Sequence, residues 1–292
     1  MSRILVTGIQ GQLGRELQKV LSSHEVVVGT GRDRLDFSQP ETIRNILPEI
    51  EPDIAINAAA YTAVDKAESE PELANTINGI APGVLAEETE KLGIPLIHVS
   101  TDYVFDGSQS RPYLETDPTN PLGIYGASKL AGENAIRDAG DRHIIIRTAW
   151  VYGTGGKGNF VKTMLRLGGD RPDLKVVCDQ IGSPTWTGDL ASAIGQIVRD
   201  RLDLNGTYHY TNSGVASWYD FAIAIFEEAR SLEFPLQVDR VFPIVTSEYP
   251  TPAKRPPFSV LNSRKLADAL GSPPPYWRDG LRKMLSEWRS TR

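Results

Sequence analysis

The sequence has a single cysteine, Cys178, and only four histidines in 292 residues. One thiol forms no internal disulfide, and no Cys/His cluster has metal-ligand spacing, so no metal is expected and Cys178 reads as a small buried hydrophobe. Positive charge is in deficit, with 31 Lys and Arg against 37 Asp and Glu and a formal net charge of -6. That balance argues against a general nucleic-acid or anionic-membrane binder, while leaving room for a small anionic ligand held by local cations. Long apolar runs are missing as well: none approaches the ~18 residues that span a bilayer. Met1-Ser2-Arg3 passes through Ile4-Leu5-Val6-Thr7 into Gly8 and not into a cleavage site, so a cytoplasmic protein is expected. Internal repeats and low-complexity tails are absent too. The remaining composition, 40% hydrophobic and 23% charged, is that of an ordinary globular chain, long enough for one large domain or two unequal ones.

The pattern that is present alternates strand and helix up to about residue 150. Ile4-Leu5-Val6-Thr7 is a short buried strand, and Gly8-Ile9-Gln10-Gly11-Gln12-Leu13-Gly14 leads from it into a helical periodicity over 15–21. In that context three glycines let the backbone turn tightly and approach a pyrophosphate at a helix N-terminus. Glu25 to Gly29 forms a second strand. Its tip, Thr30-Gly31-Arg32-Asp33, has no acid at the position that would bind ribose hydroxyls. Arg32 just beyond it favours the 2′-phosphate of NADP(H), although a solvated loop charge is an alternative reading and NADH stays open. Helices follow from Glu41 to about Leu47 and around Asn75 and Asn78, and strands at 53–60, 95–101 and 142–147. The strand 53–60 ends in Ala58-Ala59-Ala60, small residues that leave space for a ligand. His98 lies inside an apolar run and reads as a core histidine.

Alternation of this kind implies an α/β fold, a Rossmann-type doubly wound parallel sheet with right-handed crossovers. Residues 1–150 are expected to form the NAD(P)-binding domain, completed by segments near 175–200 and 238–246. Residues 151–292 are mainly a smaller substrate-binding region. Gly153 to Gly158 holds four glycines and reads as a ligand-wrapping loop. Later come a strand at 176–178, a helix at 189–198, a strand at 207–210, a helix at 218–229 and a proline-rich segment over 243–257.

Proton chemistry is suggested by Tyr125 and Lys129, four residues apart where a helix begins after Pro121. That spacing puts both side chains on one face, and a nearby cation favours the ionised phenol. Thr101, at the end of its strand, offers a hydroxyl to a substrate carbonyl or to the phenol, or else caps the strand.

Together, the Gly8/Gly11/Gly14 run, the Asn57-Ala58-Ala59-Ala60 strand end, Thr101 and the Tyr125/Lys129 pair resemble the short-chain dehydrogenase/reductase superfamily, in its extended branch acting on nucleotide-linked sugars. Longer stretches, Ala60 to Glu68, Ser100 to Gly107, Asp179 to Thr185 and Tyr249 to Pro256, resemble the dTDP-4-dehydrorhamnose reductase family across nearly the whole chain. The resemblance implies NADPH or NADH as cofactor and a dTDP-linked deoxysugar as substrate, with reduction of its C4 ketone. It implies Tyr125 as proton donor, Lys129 lowering the phenol's pKa and holding the nicotinamide ribose, and Thr101 hydrogen-bonding the reacting oxygen. Cofactor contacts would run over Gly8, Gln10 and Gly14, with Gly11-Gln12-Leu13 at the pyrophosphate, Asp36-Phe37 at the adenine side, and Ala58, Ala59, Ala60-Tyr61-Thr62 and Val99 towards the nicotinamide half. Asp102 and Trp150 match substrate-sugar contacts, Trp150 as a flat apolar wall. Lys254 and Arg255 are candidates for the nucleotide diphosphate on charge alone, against a reading as surface charges. Neither nucleic acid nor membrane is expected as a partner, and a homodimer stays open. Two alternatives remain: a related epimerase or dehydratase, though a 4,6-dehydratase would carry a second carboxylate where Tyr103 follows Asp102, and a non-catalytic regulatory subunit of the methionine adenosyltransferase type.

Overall fold

The computed structural model describes residues 1–291. Six parallel strands form the central sheet: β1 (Arg3–Thr7), β2 (Val26–Thr30), β3 (Ile54–Asn57), β4 (Leu96–Thr101), β5 (His143–Thr148) and β6 (Gly206–His209). Their order is β6-β5-β4-β3-β1-β2. The longer helices are α1 (Gln12–Leu21), α2 (Glu41–Ile50), α3 (Ala81–Leu92), α4 (Ile124–Ala139), α5 (Phe160–Asp170), α6 (Thr187–Asp200), α7 (Trp218–Ser231) and α8 (Trp277–Ser290).

Side-chain alternation decides which helices cover which face. Ile4, Val6, Ile56, Ile97, Ile144 and Ile146 pack with Leu13 and Leu17 of α1 and with Leu190 and Ile194 of α6. Leu5, Ala55, Leu96 and Ile145 point the other way, against Ile43 and Leu47 of α2, Leu85 of α3 and Ile136 of α4. Both faces are therefore apolar, as a buried parallel sheet requires. The chain runs outward from β1 to β2 and then returns to β3 on the other side, which opens a crevice beyond the carboxyl ends of β1 and β3.

The later segments differ from expectation in two places. The strand expected at 207–210 is β6, the edge of the central sheet beside β5, and not an element of a separate region. Conversely, Arg240–Ile244 does not extend that sheet: it pairs in parallel with Asp173–Val177 as a separate ribbon. The reason lies in its partner, where Leu174 and Val176 are buried while Asp173 and Lys175 are exposed. A strand with one apolar face suits a ribbon covered on one side. That ribbon joins α5, α7 and α8 around a second core that includes Val161, Leu165, Phe221, Phe226, Leu281 and Met284. Among the described residues, no helix is long and apolar enough to cross a membrane.

Candidate active site

The glycines after β1 are needed for close approach. Gly8 has φ +67°, and a Cβ there would stand 2.8 Å from the Ala58 carbonyl oxygen; one at Gly14 would stand 2.3 Å from the Gly8 carbonyl oxygen. Helix α1 starts at Gln12 behind Gly11, and among the described residues no side chain caps it. Its first N–H groups are thus open to an anion, which fits a dinucleotide pyrophosphate. The four-glycine segment lies directly over this turn: a Cβ on Gly156 would stand 2.8 Å from Gln12 Cγ. Two residues that sequence reasoning missed hold it there. Asn159 Nδ2 donates to Gln12 Oε1 at 2.7 Å and to the Gly153 carbonyl at 2.8 Å. Lys162 Nζ donates to the carbonyls of Thr154, Gly155 and Gly156. Asn159 was detectable as an N-cap before an apolar periodicity, and its side chain does accept from the Lys162 N–H.

At the adenosine end, Arg32 is exposed in the loop after β2, and so is Arg34. Thr30, at the tip of β2, buries a hydroxyl with no partner among the described residues. Asp36 Oδ1 accepts from the Ser38 N–H. Phe37 departs from expectation, because its ring is buried in the sheet-facing core with Ile43 and Leu47, leaving only its backbone to meet an adenine. The Tyr61 side chain also departs: its hydroxyl donates to Glu70 Oε2 at 2.6 Å. Its backbone is fixed by Asn78, whose amide accepts from Tyr61 N–H, donates to Tyr61 C=O and reaches Ser128 Oγ. Asn78 sits in a one-turn π-helix, Thr76–Ile80, a local widening common at functional sites. Ala58, Ala59 and Ala60 are half-buried, Gln10 and Thr62 exposed and Leu13 buried.

Helix α4 carries Tyr125 and Lys129 in its first turns. Its N-terminus is capped from a distance, since Glu68 Oε1 accepts from the Ile124 N–H at 2.8 Å. Tyr125 lies near Thr101, which acts on its phenol, and Tyr103 meets its ring edge-on at 5.5 Å. Burial pushes the phenol up to about 12, Thr101 works against that shift and the Asp102 charge adds to it. Lys129, which the resemblance gives the part of lowering the phenol's pKa, is held by the neighbouring strand. Its Nζ donates to Val99 C=O at 2.8 Å and stands 3.2 Å from His98 Nε2, and burial brings its own pKa down to about 8. His98 is buried in the core as expected, yet it also touches the site.

Asp102 is 2% exposed. Its Oδ1 accepts from Thr101 Oγ1 at 3.1 Å, and its Oδ2 has no partner among the described residues. Burial raises this carboxyl to about 6, with Ser259 and Thr101 acting the other way. Trp150, held at φ +48°, stacks on Trp218 with ring centroids 3.5 Å apart and planes 4° from parallel. One face of the expected wall is therefore taken, and the missed residue Trp218 makes it a double layer. Lys254 is exposed. Arg255, expected at a diphosphate, is instead paired within the chain: its Nη2 meets Asp65 Oδ2 at 2.8 Å and the Ala253 N–H donates to Asp65 Oδ1, closing the proline-rich loop onto the 61–65 segment.

Comparison with known proteins agrees with this geometry. The family described as RmlD substrate binding domain matches residues 1–290. A dTDP-4-dehydrorhamnose reductase of Burkholderia thailandensis is 46% identical over 94% of this chain and 95% of its own. One of Escherichia coli is 44% identical over 99% and 98%. Among solved structures, a Bacillus anthracis dTDP-4-dehydrorhamnose reductase in complex with NADP superposes with a TM-score of 0.91 at 38% identity, covering 98% of this chain and 99% of that one.

Proposed function

We propose, for a chain that belongs to the RmlD substrate binding domain family of dTDP-4-dehydrorhamnose reductases, the NAD(P)H-dependent reduction of the C4 ketone of dTDP-4-dehydro-L-rhamnose to dTDP-L-rhamnose. The observation that carries the reading is the placing of Tyr125 against Tyr103, whose N–H is held by Thr101 Oγ1, at the carboxyl end of β4, beside an α1 N-terminus that no described side chain caps. When bound, the reduced nicotinamide supplies hydride, which no side chain can. The chain's part is to hold, orient and protonate. The turn Gly8 to Gly14 and the first N–H groups of α1 hold the pyrophosphate, and Arg32 lies on the adenosine side. Thr101 hydrogen-bonds the ketone oxygen, and Tyr125 delivers a proton to it as negative charge develops. A phenol near 12 stays protonated in the resting enzyme, which suits a donor. Lys129 lies one turn below, positioned for the ribose. Asp102 Oδ2 and Trp150 are offered to the sugar, and residues 151–292 in the main close over it. The cytoplasm is the natural setting for such a soluble biosynthetic step.

The test is turnover with purified protein, dTDP-4-dehydro-L-rhamnose and each reduced cofactor. Stoichiometric oxidation of NADPH or NADH is expected; sugar conversion without net cofactor oxidation would point to an epimerase and sink the reading. Tyr125→Phe is expected to bind cofactor normally and lose about a hundred- to ten-thousand-fold in turnover. Full activity in that variant removes Tyr125 as donor.

A further inference from the structure

Lys129 ends a buried chain of side chains that crosses the sheet. Register makes Thr7 and Asn57 neighbours on β1 and β3, and Asn57 and His98 neighbours on β3 and β4. All three, with Lys129, are buried. Thr7 Oγ1 donates to Asn57 Oδ1 at 2.7 Å, and the Ala59 N–H donates to the same oxygen at 3.1 Å. Two donors on Oδ1 fix the amide's orientation, so Nδ2 is the atom facing His98 Nδ1, 3.0 Å away. An amide nitrogen only donates, hence Nδ1 has to accept, and a neutral imidazole that accepts at Nδ1 carries its proton on Nε2. That N–H is directed at Lys129 Nζ, 3.2 Å distant. An ammonium has three donors and no acceptor, so a charged Lys129 would meet it donor to donor. A neutral amine accepts the imidazole N–H with its lone pair and still donates to Val99 C=O at 2.8 Å.

We propose that Thr7, Asn57 and His98 form a positioning chain, polarised in one direction, that holds Lys129 as the neutral amine in the ligand-free protein. The other groups facing Lys129 do not reverse this. Glu133, on the same helix, favours the cation, but both its oxygens are already engaged by Arg147 of β5, with Ser100 and Arg137. Tyr125 is protonated, and Ser128 and Asn78 are neutral. Burial acts in the same sense as the chain but on its own brings Lys129 only to about 8; the imidazole N–H supplies the rest of the shift to a neutral amine at pH 7, and burial keeps the imidazole from charging. The inference itself needs no enzymatic activity; only its bearing on turnover rests on the reductase reading.

The experiment is NMR on the full, ligand-free chain labelled with 15N-histidine, His98 being assigned by its loss in His98→Gln. The expected spectrum has His98 protonated at Nε2 and bare at Nδ1; an Nδ1–H tautomer or an imidazolium at neutral pH overturns the proposal. A second measurement follows the lysine side-chain titration. Asn57→Asp keeps acceptors for Thr7 and Ala59 but turns a donor into an acceptor towards His98, forcing the proton onto Nδ1 and presenting a lone pair to Lys129. The Lys129 midpoint is then expected to rise by about one unit or more, tenfold in proton affinity. His98→Gln adds no charge, offers its amide oxygen to the ammonium and should move the midpoint the same way. A purely structural role would lower the unfolding temperature of both variants and leave both midpoints unchanged, which overturns the proposal. Absence of NADPH oxidation in the turnover assay would sink the reductase reading and leave the tautomer result standing.

Discussion

Helix α4 buries two ionisable side chains one turn apart, and the protein treats them in opposite ways. Glu133 is wholly buried, and each carboxylate oxygen is satisfied twice: Oε1 by Ser100 and Arg147, Oε2 by Arg147 and Arg137. Arg147 is packed in turn, its guanidinium 5.1 Å from the Phe105 ring centroid. Although burial alone would raise Glu133, these partners hold it below the usual carboxylate range. Lys129 is just as buried, but its hydrogen-bonding neighbours are a carbonyl and an imidazole. Asp102, at the end of β4, keeps one carboxylate oxygen without a partner among the described residues. The fold pairs buried charge on the β5 and β6 side of α4 and leaves buried ionisable groups without a counter-charge on the side where the proposed substrate binds. Unbalanced buried ionisable groups are a signature of sites that expect a ligand, whereas a closed ion-pair network is structural.

Removing the compensation on the closed side is the strongest way to break this contrast. Arg147→Met is expected to cost about 3–5 kcal/mol, because it leaves Glu133 buried with its main counter-charge gone. Urea unfolding at pH 7 measures it, and a loss below about 1 kcal/mol would show that the network is not what holds Glu133. The pH dependence has a defined sign. With a folded pKa below the unfolded one, Glu133 contributes stability above about pH 4.3 and loses it as pH falls through its folded value. The penalty in Arg147→Met should therefore shrink in acid.

The open side predicts the reverse sign. Asp102 has a folded pKa raised to about 6 by burial, above the unfolded value, so its charged form costs stability above that pH. Asp102→Asn should gain about 1–3 kcal/mol at pH 8 and nothing below about pH 4, where the wild-type carboxyl is protonated in both states. Turnover should fall in the same variant, since a carboxylate acceptor for the sugar is lost. A variant destabilised at pH 8 would mean that Asp102 is held by partners as Glu133 is.

Much of the frame was legible because it is local. Continuous apolar runs at Ile4-Leu5-Val6 and Ile144-Ile145-Ile146 mark strands buried on both faces, and glycines at 8, 11 and 14 mark the turn. The Tyr125/Lys129 spacing needs only a helix. What was illegible depends on residues far apart in the chain. Arg255 reads as a free cation until Asp65 is beside it, Phe37 as a ligand contact until Ile43 and Leu47 cover it, and Trp150 as a single wall until Trp218 stacks on it. His98 shows the limit most clearly. Its apolar flanks correctly predict burial, but its contact with Lys129 depends on strand register and on how α4 crosses β4, which no pattern within β4 encodes.

The smallest expected effect separates the buried counter-ion from the exposed one. Arg137 also reaches Glu133 Oε2, at 2.7 Å across one helical turn, but a third of its side chain is exposed, at 34% against 3% for Arg147. Solvent screens such a pair, and exposed i,i+4 pairs contribute about 0.3–0.5 kcal/mol. Arg137 also donates to Asn134 Oδ1 and to Thr207 Oγ1 on β6, so Arg137→Ala should lose about 0.5–1 kcal/mol, the extra coming from those neutral bonds. Raising the salt concentration to 1 M should erase part of this loss and little of the Arg147→Met loss, since screening acts on exposed charges far more than on buried ones. Equal losses for the two arginines, or equal salt sensitivity, would mean that Glu133 is compensated by the surface and not by the core, and the distinction between the two sides of α4 would fall with it.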